Sequence, residues 1–358
     1  MIGLTSELMT EIKDLDSKLN ECKTELKKAL ESKKITISDS EKLSEMIKKI
    51  YDIKMGVSGS DKLPPWYEII ENVEDMWING TSMSIKRVGV VSGTVDNKIY
   101  CITGYDDNSD YVDNNECYDI ITNTWTTKKE IISKRDSLTS STVDNKIYCI
   151  GGYYYKKDDG DTLNVNECYD TSSNTWTTKK PMTTRRYGLT SSTVDKKIYC
   201  IGGFDNISLS SNECYDVNND TWTTKKRMDS IKFGITSSTV DNKIYCIGGN
   251  NNTNYLNKNE YYDTDSDTWT TKKEMTTKRS GLISGVIDNK IYCIGGDNGS
   301  NNYLNKNECY DIINDTWTTK KSMTTERYRL TSITIDSKIY CIGGTNGNKL
   351  NVNEIYIP

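Results

Sequence analysis

Short runs in which apolar and polar residues alternate cover most of the chain, as expected for half-buried β-strands. From about residue 67 onward, three phrases recur in a fixed order with small changes: IYCIGG, NECYD and NTWTTKK. A fourth run, similar to GLTSSTV, precedes each IYCIGG. A pair such as Asp144-Asn145 joins the two runs, and these residues suit the positive φ of a tight hairpin. Each unit therefore predicts four short antiparallel strands.

The unit recurs six times, with one tryptophan per copy at nearly constant spacing: Trp77, Trp125, Trp176, Trp222, Trp269 and Trp317. Five copies end the second strand with a Gly-Gly pair, and the first copy has Thr103-Gly104 there. The chain ends with a third strand at residues 353–356, while the strand around Trp77 has no partner before it. We predict that this N-terminal strand completes the last sheet and closes a ring without an open edge.

The units resemble Kelch repeats, which combine the Gly doublet with a third-strand tyrosine and a fourth-strand tryptophan. The third-strand tyrosines of this chain are Tyr118, Tyr169, Tyr215, Tyr262, Tyr310 and Tyr356. The resemblance covers about residues 67–358. It implies an all-β fold, a six-bladed Kelch-type β-propeller closed by an N-terminal strand. One tyrosine and one tryptophan per unit, each burying roughly 150–250 Å², can fill the space between neighbouring sheets.

Residues 1–55 predict a short α-helical N-terminal segment, and residues 56–66 read as a flexible linker. Apolar residues at alternating steps of four and three predict a coiled coil and a homo-oligomer; the alternative is an amphipathic helix that packs on its own chain. The residues in question are Leu8, Ile12, Leu15, Leu19, Cys22, Leu26 and Ala29. Residues 30–53 resemble a small module of phage and prophage tail proteins of Gram-positive bacteria, which implies a virion-associated protein.

All variation in the length of the unit falls between the Gly doublet and the third-strand tyrosine. We call the face that carries these loops the variable face, and the opposite face, which has only tight turns, the tight-turn face. Variable loops on a rigid scaffold often bind ligands, and Tyr and Asn combine flat apolar surface with adaptable hydrogen bonds. The alternative is that these loops form solvated turns. The candidate ligand contacts are Tyr105, Tyr153, Tyr154, Phe204, Asn250 and Asp297.

A cation opens the innermost strand of every unit: Arg87, Arg135, Arg186, Lys232, Arg279 and Arg327. We expect these six side chains to surround the mouth of the central channel on the variable face. There they could bind a carboxylate, a sulfate or an acidic peptide. Alternatively, each cation ties its blade to a neighbour through carbonyls or a carboxylate. The recurrence of the cation in all six units favours this structural role, because a single ligand site would not need six copies of it.

The sequence predicts no metal and no cofactor. Cysteines occupy the second strand of all six units and the third strand of four, and we expect them to be buried, reduced thiols. No CxxC pair indicates zinc, and the acidic runs at residues 158–161 and 263–267 lack the loop length of a specific calcium site. The absence of histidine excludes histidine-ligated metals and histidine-based nucleophile pairs.

The formal net charge of −5 gives no electrostatic reason to expect nucleic acid or an anionic membrane as partner. We find no signal peptide and no membrane-spanning stretch, so we expect a cytoplasmic protein, or a virion component if it is phage-encoded. The function favoured is a non-enzymatic module that binds a cell-surface glycan or protein through the variable face. An intracellular Kelch interaction scaffold is the alternative, and a sugar-acid-modifying propeller enzyme is a third possibility.

Overall fold

The computed structural model describes residues 75–108, 110–156, 159–299 and 302–358. Four-stranded antiparallel sheets repeat six times in this part of the chain, which contains no helix. We number the blades 1 to 6 in the chain order of their inner strands. The predicted helical segment, the predicted linker and the predicted start of the propeller at residue 67 lie outside the described residues.

The strands of each blade follow one another from the channel to the outer edge. The inner strands are β3 (Val91–Val95), β7 (Thr139–Val143), β13 (Thr190–Val194), β19 (Thr236–Val240), β23 (Ile283–Ile287) and β27 (Thr331–Ile335). The second strands are β4 (Lys98–Asp106), β8 (Lys146–Ile150), β14 (Lys197–Ile201), β20 (Lys243–Ile247), β24 (Lys290–Ile294) and β28 (Lys338–Ile342).

The third strands are β5 (Tyr111–Asp119), β11 (Asn166–Asp170), β17 (Asn212–Asp216), β21 (Asn259–Asp263), β25 (Asn307–Asp311) and β29 (Asn353–Ile357). The outer strands are β6 (Thr124–Lys128), β12 (Thr175–Lys179), β18 (Thr221–Thr224), β22 (Thr268–Lys272), β26 (Thr316–Lys320) and β1 (Met76–Gly80). Short extra strands occur on the variable face: β2 (Arg87–Val88), β9 (Tyr153–Lys156), β10 (Asp159–Thr162), β15 (Phe204–Asp205) and β16 (Ile207–Ser208).

The N-terminal strand closes the ring, which confirms the predicted closure. β1 pairs antiparallel with β29, with Trp77 opposite Tyr356, so blade 6 is assembled from both ends of the propeller. The inner strands contact one another in a closed circle, and β27 of blade 6 meets β3 of blade 1. The outer edge that β29 would otherwise expose is therefore paired.

One tyrosine and one tryptophan join each blade to its neighbour. In every blade the third-strand tyrosine packs on the fourth-strand tryptophan, with ring centroids 5.0–5.3 Å apart. Each indole N–H donates to a backbone carbonyl of the preceding blade at 2.8 Å. These contacts explain why the two residue types recur once per unit.

The tyrosine hydroxyl completes this joint. It donates at 2.6 Å to an Asn or Asp at the turn before an outer strand, and that side chain also accepts a backbone N–H from the preceding blade. In blades 1 to 5 the acceptor lies five residues after the tyrosine. In blade 6 the acceptor for Tyr356 is Asp75, which comes from the other end of the propeller.

Six serines of the inner strands form a closed hydrogen-bonded cycle around the channel. Each hydroxyl donates at 2.8–3.3 Å to the carbonyl of the serine in the preceding blade. The serines are Ser92, Ser140, Ser191, Ser237, Ser284 and Ser332. The link from Ser92 to Ser332 crosses the junction between the first and last blades, so the cycle strengthens the closure made by β1.

The ten cysteines of the described region are buried and carry no disulfide. The strand register explains why a second-strand cysteine cannot reach the third-strand cysteine of the same blade. Cys101 lies opposite Glu116, whereas Cys117 lies opposite Tyr100, so the two thiols project from opposite faces of the sheet. Burial raises the pKa of Cys101 and of the other second-strand thiols to about 12.

Candidate functional site

The six cations lie four residues before the inner strands and are fully buried, so the expectation that they are open to a ligand at the channel mouth is wrong. Every one has 0 % exposure. The five arginines donate to the backbone carbonyl of the second-strand cysteine in their own blade at 3.0–3.1 Å. These side chains point into the blade because the carbonyls at the end of the second strand require donors there.

Each of these cations also pairs with the glutamate of the NECYD phrase or its equivalent. The distances include 2.7 Å from Arg87 to Glu116, 2.6 Å from Lys232 to Glu260 and 2.7 Å from Arg327 to Glu354. Arg135, Arg186 and Arg279 pair in the same way with Glu167, Glu213 and Glu308. A buried charge needs such a partner, so these ion pairs belong to the scaffold and offer no surface to a ligand.

A cavity of about 500 Å³ opens at the channel mouth on the variable face. We call it the central cup. Its floor is formed by the residue two positions after each buried cation, and its walls are formed by the neighbouring residue and by the variable loops. A cavity of this size is typical of small-ligand sites. The floor residues are Gly89, Ser137, Gly188, Gly234, Gly281 and Arg329.

Backbone hydrogen bonds link the floor residues of neighbouring blades at five blade junctions. The N–H of Gly234 donates to the carbonyl of Gly188, and four equivalent bonds of 2.7–3.0 Å run from blade 6 to blade 5, blade 5 to blade 4, blade 3 to blade 2 and blade 1 to blade 6. All six floor residues have positive φ. Glycine suits this conformation and also leaves room, because a Cβ on Gly281 would lie 2.9 Å from the Tyr328 ring.

Two aromatic walls face each other across the floor. In blades 3 and 4, Tyr187, Phe204 and Phe233 form a chain with ring centroids 5.2–5.3 Å apart. On the other side, Tyr303 of blade 5 and Tyr328 of blade 6 stack at 5.3 Å and 18°. Rings on two sides of a cavity offer flat apolar surfaces to a ligand that enters between them.

One polar group of the cup lies in blades 4 and 5. Asn250, Ser280 and Asp297 line the cavity, and Asp297 is 7 % exposed. Tyr255 hydrogen-bonds to the Asp297 carboxylate, and this bond, together with burial, raises the pKa of Tyr255 to about 12. Carboxylate, amide and hydroxyl side chains thus gather where both donors and acceptors are available to a polar ligand.

The second polar group spans blades 6 and 2, across blade 1. Arg329 donates from Nη2 to the Asp136 carboxylate at 2.7 Å and to the Ser137 hydroxyl. Burial acts against the charge of Arg329, but the Asp136 carboxylate outweighs it and raises the pKa of the guanidinium. Arg329 and Ser137 occupy a position that is glycine in the other four blades, and both have positive φ, which is strained for an arginine.

The predicted loop residues fall into three places. Asn250 and Asp297 line the cup, and Phe204 belongs to an aromatic wall. Tyr153 packs on Tyr187 at 5.2 Å, at the outer side of that wall. Tyr105 and Tyr154 lie farther out and sandwich Tyr111, and Lys349 stands 4.9 Å from the centroid of the Tyr105 ring. We call this outer group the tyrosine rim.

The repeat pattern did not identify the cup residues that follow the buried cations: Tyr187, Phe233, Ser280, Tyr328 and Arg329. It also missed Tyr255 and Tyr303, which reach the cup from the variable loops. A signal for the first group was present. Two positions after each cation, four blades have glycine and two do not, and the position between varies from blade to blade. Attention to these departures from the repeat would have found the cup.

Hydrogen bonds between adjacent loops hold the variable face in place. Thr162 of blade 2 donates to Asp205 of blade 3 at 2.6 Å, and Ser208 of blade 3 donates to Asn252 of blade 4 at 2.6 Å. The Tyr255–Asp297 contact links blades 4 and 5 in the same way. These bonds join loops of unrelated sequence, so the site is ordered before a ligand arrives, which favours affinity.

The described residues contain no group of His, Cys, Asp and Glu side chains arranged to hold a metal ion. Across the same residues, no helix has the length and apolar character needed to cross a membrane. The chemistry on offer in the cup is stacking on aromatic rings and hydrogen bonding by carboxylate, amide, hydroxyl and guanidinium groups.

Comparison with known proteins agrees with this architecture. Residues 76–235 and 234–357 match the family model of the KLHDC2/KLHL20/DRC7 Kelch-repeats domain, and the chain belongs to this family. The Kelch resemblance predicted from the repeat is thereby confirmed. The solved structure of YjhT superimposes with a TM-score of 0.68 at 14 % identity, covering 77 % of this chain and 95 % of that chain. This likeness concerns the fold alone. No curated protein matches the chain by sequence.

Proposed function

We propose that this protein is a non-enzymatic binding module that recognises a cell-surface glycan through the central cup. The observation that carries the proposal is the collection of non-repeating aromatic and polar residues at one end of an otherwise repetitive ring. Tyr187, Phe233 and Tyr328 follow scaffold cations directly, yet they differ from the Val88, Asp136 and Ser280 of the other blades. A requirement of the scaffold would act on all six blades alike.

The composition of the cup supports a glycan. A sugar ring has apolar C–H faces and an edge of hydroxyl groups. The walls formed by Phe233 and Tyr328 suit the faces, and Asp297, Asn250 and Ser280 suit the edge.

A protein ligand is the second candidate, and the tyrosine rim favours it. Tyr105, Tyr111 and Tyr154 extend the aromatic surface beyond the cup over blades 1 and 2, and Tyr155 beside them is 52 % exposed. Aromatic residues of this kind supply much of the binding energy in protein interfaces. Membership of the Kelch family agrees with a protein-binding module of this type.

We further propose that the propeller is displayed on a virion tail through residues 1–55, with an intracellular Kelch scaffold as the alternative. The place where the chain enters the propeller supports display on a tail. Asp75 occupies the place of the turn aspartates that precede the outer strands, so the chain enters the ring from the tight-turn face. The cup lies at the other end of the channel.

The first test is binding of the full chain to arrayed glycans, with Tyr328→Ala as the cup variant. We expect this change to lower affinity by about tenfold or more, as for an aromatic hot-spot residue. Tyr155→Ala is the matched control, because it removes a tyrosine on the same face outside the cup. Equal binding by wild type and Tyr328→Ala would rule out the cup as the site.

The second test concerns the location of the protein. Phage-like particles purified after induced lysis should contain the chain if it is a tail component. Its recovery only in the soluble fraction would leave the binding module intact and favour the intracellular scaffold.

A further inference from the structure

We infer that the central cup selects an uncharged glycan, and that the Arg329–Asp136 ion pair is the device that excludes acidic sugars. This inference rests on the proposed function, because it names the chemical class of ligand for the same site. The six scaffold cations suggested an acid-binding ring in the sequence, but their burial removes them from any ligand. The charge that a ligand meets is therefore decided by the residues that line the cup.

Three ionisable groups set that charge. Arg329 is the one cation among the described residues that line the cavity, while Asp297 also lines it and Asp136 lies beside the floor. Lys349, the next candidate cation, stands over the Tyr105 ring in the tyrosine rim. Two carboxylates against one guanidinium leave the cup without net positive charge, so it lacks the attraction that an acidic ligand requires.

The single guanidinium is also occupied. Arg329 Nη2 lies 2.7 Å from Asp136 Oδ2, and the same nitrogen donates to the Ser137 hydroxyl. Asp136 is 7 % exposed, and its backbone is held by a bridge to Tyr153. A ligand carboxylate that pairs with Arg329 must share the guanidinium with the Asp136 carboxylate, and repulsion between the two like charges opposes its binding. A neutral hydroxyl accepts from the guanidinium without breaking the pair.

The opposite end of the cup reinforces the same selection. Asp297 is 7 % exposed and is hydrogen-bonded by Tyr255 and by the backbone N–H of Gly299 at 3.2 Å. Its carboxylate can accept hydrogen bonds from sugar hydroxyls but repels a ligand acid. Asp297 lines the cup in blade 5, and Asp136 lies beside the floor in blade 2, on the opposite side of the ring.

The placement of Arg329 shows that this pair is an addition to the repeat. Arg329 has φ of 51° at a floor position that is glycine in blades 1, 3, 4 and 5. Glycine there would keep the hydrogen-bonded floor, so the ring itself does not require an arginine. A strained arginine aimed at a specific carboxylate of another blade is a feature of the kind found at functional sites.

The experiment is calorimetric titration of the full chain with matched pairs of oligosaccharides. Each pair ends in a neutral hexose or N-acetylhexosamine, or in the corresponding sugar acid, including sialic acid. We expect wild type to prefer the neutral member by about tenfold or more, since a like-charge contact opposes the acid. Asp136→Asn frees Arg329, and we expect it to raise affinity for the acidic member by about tenfold while neutral binding changes little.

Two variants serve as controls. Asp113→Asn makes the same change in net charge at a surface carboxylate paired with Lys134, and it should not alter the preference. Arg329→Gly removes the cation and should give no gain for acids, which separates a freed guanidinium from a wider cavity.

The outcomes distinguish the inference from the proposed function. Stronger wild-type binding of the acidic member, or no shift in Asp136→Asn, would overturn the charge selection and leave a glycan-binding cup in place. If no member of any pair binds while a peptide does and Tyr328→Ala abolishes that binding, then both the glycan function and its charge selection fail.

Discussion

Arg327 and Arg329 lie two residues apart in blade 6, and they belong to different parts of the molecule. Arg327 is fully buried, donates to the carbonyls of Cys341 and Gly343, and pairs with Glu354 of its own blade. Arg329 has a side chain that is 33 % exposed and pairs with Asp136, four blade junctions away along the chain. The first has an equivalent in every blade, and the second has none.

This difference shows how a repeat separates structural from functional residues. A cation that recurs in all six blades satisfies a need that all blades share, here the carbonyls at the end of the second strand. A cation that occurs in only one blade meets a requirement that the other blades do not share. Residue type does not separate the two arginines, whereas their recurrence does.

The largest effect is expected for the scaffold arginine. Arg327→Met leaves Glu354, which is 1 % exposed, buried without its counter-charge, and we expect the free energy of unfolding to fall by about 3–5 kcal/mol. Chemical denaturation measures this loss. The double variant Arg327→Met, Glu354→Gln removes both charges and should recover part of the stability. A loss below about 1 kcal/mol would place Arg327 outside the scaffold.

The next effect compares the closing joint with an internal joint. Asp220→Ala leaves the buried Tyr215 hydroxyl without its acceptor, and Asp75→Ala does the same to Tyr356. We expect each variant to lose about 1–3 kcal/mol, the cost of an unsatisfied buried donor. Similar losses in urea titrations would mean that the joint between the chain ends is equivalent to the others. A much larger loss for Asp75→Ala would mark the closure as the weakest point of the ring.

Acid sensitivity gives a smaller and distributed effect. Hydrogen bonds from Tyr215, Tyr262 and Tyr310 hold the pKa values of Asp220, Asp267 and Asp315 below the usual range. Their contribution is present above the ordinary aspartate pKa of about 3.9 and is lost as the pH falls through the lowered values. Asn123 and Asn174 fill the same place in blades 1 and 2 without titrating.

We therefore expect the triple variant Asp220→Asn, Asp267→Asn, Asp315→Asn to lose less stability than wild type as the pH falls from about 5 toward 2. Thermal unfolding over this range is the measurement. A triple variant at the hairpin aspartates Asp96, Asp241 and Asp288 makes the same charge change and serves as control. Parallel pH profiles for the wild type and the first variant would contradict the role given to the tyrosine hydrogen bonds.

The sequence predicted the scaffold well because each scaffold residue occurs six times. The order of the four strands, the tyrosine and tryptophan positions and the closure by the strand around Trp77 all follow from repetition. The cup was predicted poorly because its residues occur once each and come together only through the ring. Arg329 and Asp136 are separated by 193 positions in the chain, and no local sequence pattern predicts that they pair.

The error over the six cations has a physical cause. Sequence spacing placed them at the start of the inner strands, whereas each lies four residues before its inner strand, and the spacing did not give the direction of their side chains. The decisive partner of Arg87 is Glu116 in the third strand, and the spacing of the units alone did not identify it as a buried acceptor. Reading the glutamate of NECYD as the counter-charge would have predicted the burial.

The smallest effect on stability is expected at the floor of the cup. The double variant Arg329→Gly, Asp136→Asn removes both charges of the pair, so it leaves no unpaired buried carboxylate, and it relieves an arginine held at a φ of 51°. Since relief of such strain is of the order of 1 kcal/mol or more, we expect a free energy of unfolding within about 1 kcal/mol of wild type. The denaturation used for Arg327→Met measures it under identical conditions. A loss as large as that of Arg327→Met would make Arg329 a scaffold residue and remove the distinction between the two arginines. A near-neutral effect, combined with an altered preference for acidic sugars, would mean that the strained arginine is retained for the ligand rather than for the fold.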